Sequence, residues 1–283
     1  MEPGTLYLVA TPIGNLEDIT LRALRILKYV DLILCEDTRR TSRLLNHYGV
    51  RARCVSHHEH NEEARTPELV RQLRAGKNMA LVTDAGSPLL SDPGYALVSA
   101  CRREEVPVTS VPGPSAAVAA LTASGLATDN FFFVGFLPAR ASARLRKLQE
   151  LSTISATLVF YEAPHRLIRS LEDMAAILGP RRACLARELT KVHEEWLRGR
   201  IQEILDTLKE RPKILGEATL VIEGGSGGLP AVTAQPGTAP LRQQVEEEMR
   251  QTGKSRNEAL KAASRRLGIT RKEAYKLLLE EKE

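Results

Sequence analysis

The segment NMALVTD, residues 78–84, runs directly into AGSPLLSDPG, residues 85–94. A short apolar run without charge reads as a strand buried on both faces. The loop behind it holds two Asp, two Gly and two Pro between Asp84 and Gly94, more than a single turn requires. The same order recurs on either side. TLYLVAT (5–11) leads into Pro12-Ile13-Gly14-Asn15-Leu16, DLILCE (31–36) into Asp37-Thr38-Arg39-Arg40, and VPVTSVP (106–112) into Gly113-Pro114-Ser115-Ala116. Helical patterns lie between the strands: Leu21, Leu24, Leu27 and Lys28 in one, Leu69, Leu73 and Arg74 in another. This alternation predicts a parallel α/β sheet with both faces covered.

A second set of strands follows: FFFVGFLP (131–138), ATLVFYE (156–162), RACLARE (182–188) and EATLVIEG (217–224). Helices are expected near 164–178 and 201–210. The chain is therefore read as an N-terminal α/β domain over 1–115 and a second α/β domain over 116–224. A linker spans 225–240, where GSGGLPAVTAQPGTAP is too poor in large apolar residues to build a core. A small helix-turn-helix is expected over 241–283, with helices near 257–267 and 271–279 sharing apolar positions such as Ala259, Leu260 and Leu278.

With 43% apolar and 27% charged residues, the composition is that of an ordinary globular protein, not of a disordered or fibrous chain. The net charge of +5 is unevenly placed. Residues 250–276 contain nine Lys or Arg against two Glu, a window of +7, which leaves −2 for the remainder. That concentration points to nucleic acid rather than to a generally basic surface. The four cysteines are scattered, without a C-x-x-C pair, as expected in a reducing cytoplasm. The start of the chain lacks the signature of a signal peptide. The uncharged stretch 106–128 carries three prolines and many small polar residues, which favours strand, turn and buried helix over a membrane span.

Common nucleotide fingerprints fail. No G-x-G-x-x-G follows a strand, and Gly253-Lys254-Ser255 lacks the earlier glycine of a phosphate loop, since that position is Glu248. His57-His58-Glu59-His60-Asn61 with Cys54 has no metal-ligand spacing, so no metal is expected and the run reads as a polar loop facing substrate. In open α/β sheets, ligands bind beyond the carboxyl ends of the strands. The loops Ala10–Leu16, Thr83–Pro88 with Ser91–Gly94, and Pro112–Ala116 are therefore expected to line one crevice, with Glu36–Arg40 facing it. Titratable residues also gather at strand ends in Glu36-Asp37, in Tyr161-Glu162-Ala163-Pro164-His165-Arg166, and in Arg187-Glu188-Leu189-Thr190-Lys191. Arg140, Arg144, Arg146 and Lys147 read either as a solvated helix face or as a phosphate-contacting run.

Taken together, LYLVATPIGNLEDITLRAL, EDTRRTSRLL, HEHNE, VTDAGSPLLSDPGYALV, VPGPSAAVAAL, SGLATDNFFFVGFLP, FYEAPHR and ARELTKVHEE resemble, in order, the ribosomal RNA small subunit methyltransferase I family of the tetrapyrrole (precorrin-like) methylase superfamily. The resemblance covers roughly 4–223, and the tail is similar to that family's C-terminal helix-turn-helix. It implies two α/β domains of tetrapyrrole-methylase type with the donor cleft between them. It also implies S-adenosylmethionine as donor, 2′-O-methylation of a cytidine ribose in the decoding region of 16S rRNA, and a cytoplasmic homodimer acting on the small ribosomal subunit rather than on DNA or a membrane. By motif position the donor would touch Pro12, Asp84, Ala85, Gly86, Ser87, Pro88, Ser115, Ala116, Tyr161, Leu189, Glu217 and Ala218.

Methyl transfer from a sulfonium relies on positioning, with a base or charge stabiliser for the weakly nucleophilic hydroxyl. Glu36, Asp37, Glu188 and Lys191 are the candidate bases, Lys191 only with a depressed pKa. Arg39, Arg140, Arg144, Arg146, Arg166 and Arg187 are candidate RNA contacts, with Lys254, Arg256, Arg265, Arg266, Arg271 and Lys272 in the tail. Three other readings compete: a tetrapyrrole C-methyltransferase, a non-enzymatic helix-turn-helix regulator, and a ribosome-assembly factor that consumes no donor.

Overall fold

The computed structural model describes residues 2–225 and, beyond them, positions 245, 249, 250, 255, 259 and 260. Residues 1–225 form one compact unit and 226–283 another. In the second, Val245, Ala259 and Leu260 are buried and the Ala259 N–H donates to the Ser255 carbonyl at 2.9 Å. The expected linker, the helix-turn-helix and the tail contacts Lys254, Arg256, Arg265, Arg266, Arg271 and Lys272 otherwise lie outside the described residues.

The first half alternates as its sequence demands: β1 (Leu6–Val9), α1 (Leu21–Tyr29), β2 (Leu32–Cys35), α2 (Thr38–His47), β3 (Cys54–Ser56), α3 (Glu62–Arg74), β4 (Met79–Val82), α4 (Tyr95–Arg103), β5 (Val108–Val111) and α5 (Ala116–Ala123). All five strands are parallel, in the order β3-β2-β4-β1-β5. Every residue of β2 and β4 is buried, because alternate side chains enter opposite cores. Leu32, Leu34 and Leu81 face Leu69, Leu73 and Leu97, while Ile33, Ala80 and Val82 face Ala23, Leu27 and Leu45.

The second half adds β6 (Phe131–Phe136), α6 (Ala141–Leu151), β7 (Thr157–Glu162), α7 (Leu167–Leu178), β8 (Arg182–Arg187), β9 (Glu195–Arg200), α8 (Ile201–Lys209) and β10 (Ala218–Ile222). The sheet order is β6-β7-β10-β8-β9. Only β6 and β7 pair in parallel; the other three pairings are antiparallel. Leu158, Phe160, Leu185 and Leu220 pack with Leu148, Leu171, Met174 and Leu205 of α6, α7 and α8. The opposite face, with Val159, Cys184, Ala186 and Val221, packs on Ala117, Ala120 and Leu121 of α5 and on Ile13. One apolar layer thus joins the two sheets.

Sequence periodicity missed β9. EWLRGR has no apolar run, and its extension comes from six-residue pairing with β8 at the sheet edge. The Arg198 guanidinium lies 4.9 Å from the Trp196 ring centroid, a cation–π contact. Among the described residues, no helix is long and apolar enough to cross a membrane.

Candidate active site

The strand ends converge on a cavity of about 380 Å3, within the range of about 300–1,000 Å3 usual for small-molecule sites. In the first sheet the carboxyl-end rule works directly. Ile13 follows β1, Glu36 follows β2, Asp84 to Ser87 follow β4, and Ala116 follows β5; all line the cavity. In the second sheet β6, β7 and β8 run the same way, so Phe136, Glu162 and Ala186 reach the cavity from their carboxyl ends. β10 runs oppositely and brings Ala218 and Thr219 from its amino end, with Ala218 beside both Glu162 and Arg187 in register.

The loops of the first sheet are stitched together. Thr11 and Gly86 exchange backbone hydrogen bonds, both at 2.9 Å. The Thr11 hydroxyl donates to the Thr83 carbonyl at 3.0 Å, and the Ser87 hydroxyl to the Pro114 carbonyl at 3.2 Å. Two non-glycine residues of the β4–α4 loop, Leu89 (φ 70°) and Ser91 (φ 72°), occupy the left-handed region, as do Glu188 (φ 49°) and Thr190 (φ 66°) on the far wall. Such conformations cost of order 1–3 kcal/mol each and concentrate at functional sites. Gly135, at φ 73° in the β6 bulge, lets that strand pass Ser91: an added Cβ would lie 2.8 Å from Ser91 Oγ.

Of the expected donor contacts, Asp84, Ala85, Gly86, Ser87, Ala116, Tyr161, Leu189, Glu217 and Ala218 line the cavity. Pro12, Pro88 and Ser115 sit beside it without lining it. The Thr83 and Ser115 hydroxyls are buried beside the Asp92 carboxylate and the Tyr161 hydroxyl, respectively. The Tyr161 hydroxyl accepts the Ala117 N–H at 3.3 Å, and burial raises its pKa. Among the described residues, no three His, Cys, Asp or Glu side chains are grouped to hold a metal.

The four candidate bases part company. Glu36 is exposed overall, yet partial desolvation of its carboxylate at the cavity wall, followed by the neighbouring Asp84, raises its pKa. Asp37 instead caps α2: it accepts the Arg39 N–H at 2.8 Å and pairs with the Arg39 side chain, which holds it well below the usual carboxylate range. Lys191 Nζ lies 2.9 Å from Glu188 and 3.0 Å from Glu217. Burial works against the ammonium, yet these carboxylates hold its pKa above the ordinary value. A depressed lysine pKa, the condition for it to act as a base, is not what this geometry produces. Burial pushes Glu188 up, but Lys191 and the Glu217 N–H bring its pKa below normal.

Three expected RNA contacts turn inward. Arg144, only 7% exposed in its side chain, pairs with Asp173 at 2.6 Å and donates to the Ala139 carbonyl. Arg166 pairs with Glu162 and donates to the Leu137 carbonyl. Arg187 is held by Glu195 and the Leu215 carbonyl. Arg39 and Arg146 remain outside, their side chains 86% and 83% exposed, and Arg140 is also exposed. The HHEHN loop does not line the cavity as expected. His57 is fully buried with both ring nitrogens unpartnered, and burial lowers its pKa. The following Glu62 reaches α4, where one oxygen accepts the N–H groups of Gly94 and Ala96 at 3.1 and 2.7 Å.

Arg40, 3.2 Å from Asp84, and Asp92 line the cavity from strand-end loops that the sequence turns toward the crevice, although it assigns neither a role. Phe136 was read only as strand. Its position at a carboxyl end is the signal that would have found it.

The tetrapyrrole (corrin/porphyrin) methylase family model matches residues 5–205. A ribosomal RNA small subunit methyltransferase I from Halalkalibacterium halodurans is 51% identical over 79% of this chain and 77% of its own length. One from Synechocystis is 44% identical over 98% of both chains. The crystal structure of uroporphyrin-III C-methyltransferase from Thermus thermophilus superposes with a TM-score of 0.56 at 26% identity, covering 78% of this chain and 94% of that one.

Proposed function

Because this chain belongs to the tetrapyrrole methylases and, within them, to the ribosomal RNA small subunit methyltransferase I family, we propose that it methylates the 2′-oxygen of a cytidine ribose in 16S rRNA with S-adenosylmethionine as donor. The observation that carries the reading is the cavity where loops from both sheets meet. Its wall suits a cationic, partly apolar donor: Glu36, Asp84, Asp92 and Glu217 supply negative charge, while Ile13, Leu90, Phe136 and Leu189 supply apolar surface.

The donor supplies an activated methyl on a sulfonium. The residues proposed to hold it are Asp84, Ala85, Gly86, Ser87, Ala116, Tyr161, Leu189, Glu217 and Ala218, which line the cavity, while Pro12, Pro88 and Ser115 shape the loops that carry them. The chain's remaining task is to orient the ribose hydroxyl, exclude water and accept a proton. Exposed Arg39, Arg140 and Arg146 are the proposed phosphate contacts in this part of the chain, a reading that their solvent exposure supports. The basic window of residues 250–276 supplies further phosphate contacts, and the protein works as a cytoplasmic homodimer on the small subunit.

The likeness to a uroporphyrin methylase favours a second reading, a tetrapyrrole C-methyltransferase, but at 26% identity it is outweighed by relatives at 51% and 44%. Incubation with labelled donor and either unmethylated small subunits, followed by RNA digestion, or uroporphyrinogen III tests the choice. The expected product is one ribose-methylated cytidine. RNA left unlabelled at every assembly state, with label transferred to a tetrapyrrole, overturns the proposal.

A further inference from the structure

The two faces of the first sheet differ in charge. α1 and α2 cover one face and share its core, where Ala23 and Leu27 meet Leu45. The Tyr48 hydroxyl at the end of α2 donates to the Leu16 carbonyl ahead of α1 and ties the pair together. α3 and α4 cover the other face. Residues 19–30 hold Arg22, Arg25 and Lys28 and no acid, and residues 38–53 hold Arg39, Arg40, Arg43, Arg51 and Arg53 and no acid. By contrast, α3 mixes three Glu with three Arg, and two of those arginines are paired, Arg71 with Glu68 and Arg74 with Glu104.

Helix stability does not account for the basic pattern. The amino end of a helix favours acids in its first turn, as α3 has in Glu62 and Glu63. α1 and α2 have none there, and carry Arg22 in one case and Arg39 and Arg40 in the other. Arg22 and Arg25, Arg25 and Lys28, and Arg39 and Arg43 stand three or four residues apart, a spacing at which like charges repel. Nor are most of these cations consumed by ion pairs. Asp37 takes Arg39 and Asp84 takes Arg40. Arg22, Arg25, Lys28, Arg43, Arg51 and Arg53 are exposed and have no ion-pair partner among the described residues. The acid that follows α1, Asp31, accepts the Asn78 N–H at 2.8 Å.

This basic face begins at the cavity. Arg40, in the first turn of α2, lines the wall, as does Glu36 just ahead of the helix. From there α2 extends for ten residues, a length of about 15 Å, and the chain then turns through Arg51 and Arg53 to the amino end of β3. One or two groups suffice for a free anion. A run of unpaired cations this long, without acids among them, matches a polyanion that extends beyond the reacting nucleotide. Seven of the eight cations are arginine, whose planar fork fits phosphate oxygens in pairs.

We propose that the α1–α2 face docks the phosphodiester backbone of the rRNA segment flanking the target nucleotide, an assignment that rests on the chain being an rRNA 2′-O-methyltransferase. Arg40 marks where that segment meets the cavity, and Arg43, Arg25 and their neighbours hold it along the helices. The contacts are to phosphates, so they fix position and register without reading bases.

The full chain and unmethylated small subunits are used for the test. Four exposed residues outside the cavity wall are neutralised together, R22Q/R25Q/K28Q/R43Q. A matched variant removes the same charge from the other face, R71Q/R74Q/R102Q/R103Q. Filter binding is followed over a range of salt concentrations, with calorimetry of S-adenosylhomocysteine and a thermal melt for each protein. In the α1–α2 variant, affinity for subunits is expected to fall at least about tenfold at low salt, and the slope of log affinity against log salt to flatten by about 3. The single variants R25Q and R43Q, which keep the fold should the fourfold change disturb it, each flatten the slope by about 1. S-adenosylhomocysteine affinity stays at the wild-type level, and the matched variant binds and methylates subunits as the wild type does. Subunit affinity and slope unchanged in R25Q, R43Q and the fourfold variant, or weakened equally in the matched variant, overturn the assignment alone. Unchanged subunit binding together with lost binding to anionic phospholipid vesicles overturns it in favour of a membrane contact. A wild type that neither binds subunits nor methylates their RNA overturns the assignment together with the function it rests on.

Discussion

Glu62 Oε1, at the start of α3, accepts the Ala96 N–H at 2.7 Å, at the start of α4. A carboxylate from one crossover helix therefore secures the loop that ends on another, and that loop forms one side of the cavity. Glu62→Ala leaves the amides of Gly94 and Ala96 without this acceptor. The expected loss is about 1–3 kcal/mol, read as a lower urea midpoint with an unchanged slope. Glu62→Gln, which keeps an acceptor oxygen, falls between. S-adenosylhomocysteine affinity drops with Glu62→Ala although the residue lines no part of the cavity.

This contact shows why the sequence was only partly legible. The parallel sheet could be read from MALV, LILC and LYLV because buried strands are uniformly apolar. The crevice could be read from strand ends because direction alone places them on one side. The partner of Glu62 could not, since HEHNEEAR and DPGYAL meet only after α3 and α4 have packed. Nor could the inward turn of Arg144, which depends on Asp173 lying one helix away. β9 was hidden for a similar reason: its conformation is set by β8, not by its own pattern.

The raised pKa of Asp92 makes stability depend on pH. The ordinary carboxyl value is 3.8 and the folded value about 6, so the native state binds this proton more tightly. The stabilisation is fully present below about pH 3.8 and is lost as pH rises through about 6. Above that, the wild type carries a buried charge that D92N lacks. D92N is expected to be more stable than the wild type by about 1–2 kcal/mol at pH 8, after allowing for partial solvent screening. It should show no advantage at pH 4. Thermal melts at the two pH values check the sign.

Gly14 is where the β1 loop passes the far wall. A Cβ there would stand 2.5 Å from Lys191 Cγ, 2.8 Å from Thr190 Oγ1 and 2.9 Å from the Leu189 carbonyl oxygen. The adjacent Asn15 N–H donates to Thr190 Oγ1 at 3.0 Å. Gly14→Ala therefore pushes the two sheets apart at the cavity. A loss of about 1–3 kcal/mol is expected, with weaker S-adenosylhomocysteine binding measured by calorimetry.

The +7 window at residues 250–276 predicts a salt-dependent contribution to RNA affinity. Truncation after Pro240 is expected to weaken binding to small subunits and to flatten the dependence of log affinity on log salt. Donor affinity should stay within twofold. Filter binding at several salt concentrations, beside calorimetry with S-adenosylhomocysteine, separates the two effects.

The place of β1 also governs how the molecule can be made. It leaves the ribosome before the other strands of its sheet, yet it lies between β4 and β5. Until Val108–Val111 has emerged, Leu6–Val9 has a partner on one side at most, and the nascent sheet keeps an open apolar edge there. Long-range parallel pairing of this kind folds slowly. The window of exposure to aggregation during synthesis is therefore set by the distance from β1 to β5, and a pause in translation before Val108 would lengthen it.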